Sequence, residues 1–138
     1  MKTFMLGTLI AFLPTFASAA GQTTSRLDCK VSSSCTQNGD CVVTSKAVAF
    51  TLTEKAVERH GEGTYEIAYQ GVTADAQNLT MFGPYMWVVG DNEELHTLVI
   101  LGATPSNGTG TYRFLWSEMH MTDQAFSTVK FLTCEGNF

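Results

Sequence analysis

The residues best equipped for chemistry fall in one short run, Trp116-Ser117-Glu118-Met119-His120-Met121. Thioether sulfur is a soft donor that selects Cu(I), and imidazole also binds copper. One residue separates Met119 from Met121, so a strand would direct both sulfurs to one face and His120 to the other. Met119, Met121, His120 and Trp116 are therefore the candidate metal residues, with Cu(I) as the one cofactor suggested. Packing is the competing reading, because methionine also fills irregular core space.

Catalytic patterns are sparse. There is no G-x-S-x-G elbow, H-E-x-x-H helix or phosphate-binding glycine loop. His60 adjoins Gly61-Glu62-Gly63 and reads as a solvated turn residue. His96 sits in the most apolar segment and reads as a structural histidine with satisfied partners. Asp91, Glu93 and Glu94 could act as paired carboxylates or calcium ligands, although so acidic a turn is more often the wet end of a hairpin. Tyr65, Tyr69, Tyr85, Trp87, Phe114 and Trp116 suit a core or, if exposed together, a ligand pocket. No catalytic residues are assigned, and the expectation is a non-enzymatic binding or interaction domain whose ligand is unknown.

Any such site must be positioned by strands. Val48, Phe50 and Leu52 share one face, as do Tyr65, Ile67 and Tyr69, then Tyr85, Trp87 and Val89. Leu95 to Leu101 is apolar on both faces and predicts a strand covered on both sides. Tyr112, Phe114 and Trp116 follow, then Val129 and Phe131. Gly61-Glu62-Gly63, Gly83-Pro84, Gly90-Asp91-Asn92 and Pro105-Ser106-Asn107-Gly108 separate the sets. Short strands at this spacing predict an all-β antiparallel meander, closed as a small barrel or stacked as a sandwich. Helix is expected only near Glu54 to His60 and Thr122 to Phe126, and residues 20–25 read as a loose lead.

Residues 1–19 read as a cleavable signal peptide. Lys2 is followed by an apolar run from Phe4 to Leu13, Pro14 and the small residues Ala17-Ser18-Ala19. The run is too short to span a bilayer, which takes about 20 apolar residues. Cleavage would leave 20–138 as a single exported domain without a membrane anchor. Lys2 is the only charge removed, so the net charge moves from −5 to −6. That balance disfavours nucleic acid and suits a small ligand or a cationic protein partner. All four cysteines, Cys29, Cys35, Cys41 and Cys134, lie in the mature part, and an even count in an exported domain predicts two disulfides. Cys35–Cys41 would close a polar loop and Cys29–Cys134 would tie the first strand to the last. Pairings of Cys134 with Cys35 or Cys41 stay open. Asn78-Leu79-Thr80 and Asn107-Gly108-Thr109 fit the glycosylation pattern, relevant only to a eukaryotic source.

Cys29 to Cys41 with its five-residue gaps, Val48-Ala49-Phe50-Thr51-Leu52, Gly63-Thr64-Tyr65-Glu66-Ile67, Gly83-Pro84-Tyr85-Met86-Trp87, Phe114-Leu115-Trp116 and Val129-Lys130-Phe131-Leu132-Thr133-Cys134 resemble small exported proteins of alphaproteobacteria. That resemblance implies a periplasmic location and carries no activity. Locally, Trp116 with Met119 and Met121 resembles periplasmic copper-binding β-barrels, which hold Cu(I) with methionines and histidine under a tryptophan. The histidine of that family precedes the tryptophan, whereas here the nearest earlier one is His96. Gly110-Thr111-Tyr112 followed by Trp116 resembles periplasmic lysozyme inhibitors, but Ser117-Glu118 stands where they carry lysine.

Overall fold

The computed structural model describes residues 21–91, 93–104, 106, 109–121 and 126–137, with the side chain of Arg59 excepted. The expected signal peptide, most of the turn at 105–108, and 122–125 of the second expected helix lie outside the described residues.

Among the described residues nine strands follow one another: β1 (Thr24–Thr36), β2 (Cys41–Val43), β3 (Ala47–Val57), β4 (Gly63–Tyr69), β5 (Val72–Asn78), β6 (Tyr85–Val89), β7 (Glu94–Thr104), β8 (Gly110–His120) and β9 (Phe126–Asn137). From β3 to β9 each strand pairs antiparallel with the next. One edge of β1 takes β3 along 24–30 and short β2 along 33–35, and its other edge takes β9. The β1–β9 pairing closes an eight-stranded antiparallel barrel, which removes the open edges of a meander.

Alternation explains which side chains fill the bore. Leu27, Phe50, Ile67, Leu98 and Phe114 are fully buried, and Trp87, Trp116, Leu52 and Leu132 nearly so. Burying a side chain such as Phe50 or Leu98 contributes about 1.5–3 kcal/mol. Phe50, Tyr69 and Trp116 meet at centroid distances of 5.2–5.5 Å, two of the contacts edge to face, the arrangement ring quadrupoles favour. The six candidate pocket aromatics are therefore buried in the bore, and Tyr65, Tyr85, Trp87 and Trp116 also reach the walls of clefts.

Both favoured disulfides form. Cys29 stands opposite Cys134 and is linked to it inside the barrel. Cys35 stands opposite Cys41 across the β1–β2 turn.

Four expectations are corrected. Glu54 to Val57 continue β3, and only Arg59–Gly61 form a 3-10 turn. The lead is shorter than expected, since β1 begins at Thr24. β7 is not covered on both sides, because Leu101 is half exposed. On β9 the inward residues are Lys130, Leu132 and Cys134, while Phe131 faces out beside Leu115. Cys134 must point inward to reach Cys29, and that parity turns Val129 and Phe131 outward.

Two ends result. The near mouth carries the Cys35–Cys41 turn, the Gln70-Gly71 turn and the starts of β7 and β9. The far mouth carries the Arg59–Gly61 turn and the loop between β5 and β6.

Candidate functional site at the near mouth

The strand period that buries Trp116 also carries Glu118 and His120 along the inner face of β8. β7 brings Glu94 and His96 beside them, with the pairs Glu94↔His120 and His96↔Glu118 in register. β9 adds Lys130 opposite Trp116 and Thr128 opposite Glu118.

His96 lies at the centre of this group and is 3% exposed. Its ring stacks on Trp87 at 5.2 Å and 9°. Trp116 Nε1 donates to His96 Nδ1 at 3.3 Å. Indole nitrogen is only a donor, so Nδ1 is an acceptor and the neutral ring carries its proton on Nε2. That proton faces Glu94 Oε2 at 3.3 Å. Burial pushes the imidazole below its ordinary value, against the charges of Glu118 and Glu94, and Lys130 pushes the same way as burial.

The remaining polar groups of the network are paired. His120 Nδ1 is 3.1 Å from Glu94 Oε1. Glu118 Oε2 accepts from Thr128 Oγ1 at 2.9 Å and from Lys130 Nζ at 2.5 Å. Lys130 Nζ also stands 4.1 Å from the centroid of the Trp116 ring, within cation–π range.

Beside this network a cleft of about 220 Å³ opens between β1, β2, β3 and the Trp116 ring. Val31, Val42, Val48 and Trp116 form its apolar surface, and Ser34, Thr44, Gln70, Lys46 and Lys130 supply polar groups. Among the described residues no carboxylate pairs with Lys46. A cleft built this way can hold an apolar body and hydrogen-bond an anionic end.

A larger, open slot of about 630 Å³ lies where β5 and β6 part. They pair only through Ala76↔Trp87, Gln77↔Met86 and Asn78↔Tyr85. Its only charged lining group is Asp75, which pairs with Lys55. It is a gap in the wall with few converging polar groups.

The candidate copper residues are divided between two faces. Trp116 is buried in the bore and His120 points to the inner side of the mouth, whereas Met119 and Met121 are 47% and 53% exposed. Among the described residues no group of three or more His, Cys, Asp or Glu stands in metal-holding geometry. His96 is the satisfied histidine expected of it. Glu94 leaves the acidic turn and faces inward. Asn78 of the glycosylation pattern is buried, with Nδ2 donating to the Gly61 carbonyl at 2.6 Å. Glu118 and Lys130 were not singled out from the sequence, and Glu94 was read only as part of the acidic turn. The signal for Glu118 was parity with Trp116, and for Glu94 parity with His96 and Leu98. Lys130 needed the parity of Cys134.

Compared with known proteins, the chain matches no protein-family model, no curated protein and no solved structure.

Proposed function

We propose that the chain is an exported, non-catalytic binding domain that seats a small ligand with an apolar body and an anionic group against Trp116. The carrying observation is the near-mouth cleft, where an apolar surface meets Lys46, a cation without an acidic partner among the described residues. The periplasmic resemblance and the two disulfides support the compartment. The histidine–glutamate network supports binding over turnover, because its carboxylates are already engaged by His96, His120, Thr128 and Lys130.

Tryptophan fluorescence during titration with a series of small aromatic and aliphatic carboxylates tests the proposal. A charge-assisted hydrogen bond contributes about 1.5–3 kcal/mol, so Lys46→Ala should weaken the best ligand about tenfold or more. Equal affinity in wild type and Lys46→Ala would remove the assigned site. A turnover activity abolished by Glu94→Gln would overturn the non-catalytic reading.

A further inference from the structure

The far mouth holds a second concavity, of about 280 Å³, that owes nothing to the near-mouth reading. Glu54 is its key residue. It follows Val48, Phe50 and Leu52 on the inner face of β3 and stands opposite Tyr65 of β4. The strand period thus puts a carboxylate at the end of an apolar face. Some surface carboxylates have cations: Asp28 has Arg26, while Glu66 and Asp75 share Lys55. Among the described residues Glu54 has none.

Two tyrosines share the cleft with it. Tyr65 and Tyr85 meet at 5.2 Å and 82°, edge to face. Tyr65 Oη donates to the Gly61 carbonyl at 2.9 Å, which anchors the ring to the turn below the cleft. Burial raises both phenols above their ordinary value, and the charge of Glu54 adds to that rise at each. The negative field of Glu54 therefore reaches both rings. His60, held at φ 71, completes the turn side. On the open side Met81 is half exposed, and its loop also presents Leu79 and Phe82.

We propose that the far mouth is a binding site for an alkylammonium group, with the ammonium beside the Glu54 carboxylate and the two tyrosine rings. Met81 would cover the alkyl stem. A carboxylate supplies the charge-assisted hydrogen bond, and aromatic rings attract a cation through their quadrupoles. A hard metal ion fits less well, because calcium takes 6–8 oxygen ligands and Glu54 is the one carboxylate lining the cleft. The ammonium could come from a free small amine or from a lysine side chain of a partner protein.

Backbone and tyrosine-ring NMR shifts during titration of the disulfide-intact protein test the site. n-Butylammonium should give saturable shifts at Gly61, Tyr65 and Tyr85, whereas n-butanol, its neutral counterpart, should give none. Glu54→Gln should weaken n-butylammonium about tenfold. A capped Ala-Lys-Ala peptide is the third arm. Tighter binding of the peptide than of n-butylammonium identifies a lysine side chain as the occupant, and the reverse order identifies a free amine; either order supports the site. Shifts by n-butanol equal to those by n-butylammonium, no saturable shift by either cation, or equal affinity in a folded Glu54→Gln variant would overturn it.

Discussion

Burial holds His96 neutral between two indoles, and the sign of its effect on stability follows from that. Its value in the folded protein lies below the ordinary histidine value, chiefly through burial. The unfolded chain therefore binds more protons just below the ordinary value of about 6.5. Stability from this residue is complete above that pH and is lost as pH falls below it, toward the folded value. The slope cannot exceed one proton, about 1.4 kcal/mol per pH unit. Urea unfolding at pH 7.5 and 5.5 should show wild type losing stability, and His96→Gln losing less. An identical pH difference in the two proteins would show that His96 is not the titrating group.

The elements differ in how firmly they are joined. Cys29–Cys134 spans 105 residues and Cys35–Cys41 spans 6. In the chain-entropy model these contribute about 4–5 and about 2 kcal/mol. Replacing the first pair by alanine should therefore lower the denaturation midpoint more than replacing the second. An equal loss would place the stabilisation in local packing instead. The same β1–β9 seam depends on Gly136, where a Cβ would fall on the Arg26 carbonyl oxygen. Gly136→Ala should cost about 1–3 kcal/mol through forced separation of the strands, measurable as a lower midpoint in urea. At the β5–β6 seam the geometry is weaker. Gln70 and Gly71 both have positive φ, 47° and 80°, as a two-residue hairpin turn requires. That turn makes Tyr69↔Val72 a hydrogen-bonded pair, so the amides of Thr73 and Asp75 point away from β4 toward the slot. Val88 on β6 points into it from the other side. Hydrogen exchange should be fast at Thr73, Asp75 and Val88 and slow at Val72 and Ala74. Uniform protection along β5 would mean that the seam is paired in solution.

For the molecule as a whole, a filled bore confines the two proposed sites to the ends. Trp87, Trp116, Phe50 and Phe114 leave the centre packed, so the two mouths share a wall and no common cavity. Sites without shared partners add nearly independently, within about 0.3–0.5 kcal/mol. Saturating the near mouth with a carboxylate ligand should therefore leave the n-butylammonium affinity at the far mouth unchanged within about twofold. A larger change would show that the core transmits a shift between them. The net charge of −5 acts at this scale too, through long-range attraction of cations.

Much of the barrel was legible in order. Val48-Phe50-Leu52, Tyr65-Ile67-Tyr69 and Tyr112-Phe114-Trp116 alternate so regularly that local sequence determines both the strand and its buried face. The sequence favoured Cys29–Cys134 and Cys35–Cys41 but left Cys134 open to Cys35 or Cys41, and the structure decided the pairing. Val129 and Phe131 were misread because two apolar residues at strand spacing predict a face without saying which one; only the Cys29–Cys134 link decides it. Glu54 was misread because its strand has helix-compatible residues at its end, and pairing with β4 overrides that propensity. The candidate sites were less legible still. Glu94, Glu118 and Lys130 come from three strands, and nothing local tells a charged residue that its neighbour across the sheet carries the opposite charge. By itself the sequence determined an all-β chain whose alternating apolar sets name most of its strands. Tertiary structure decided closure, which side of β9 meets the core, and which charges converge at each mouth, because these depend on register between strands far apart in the chain.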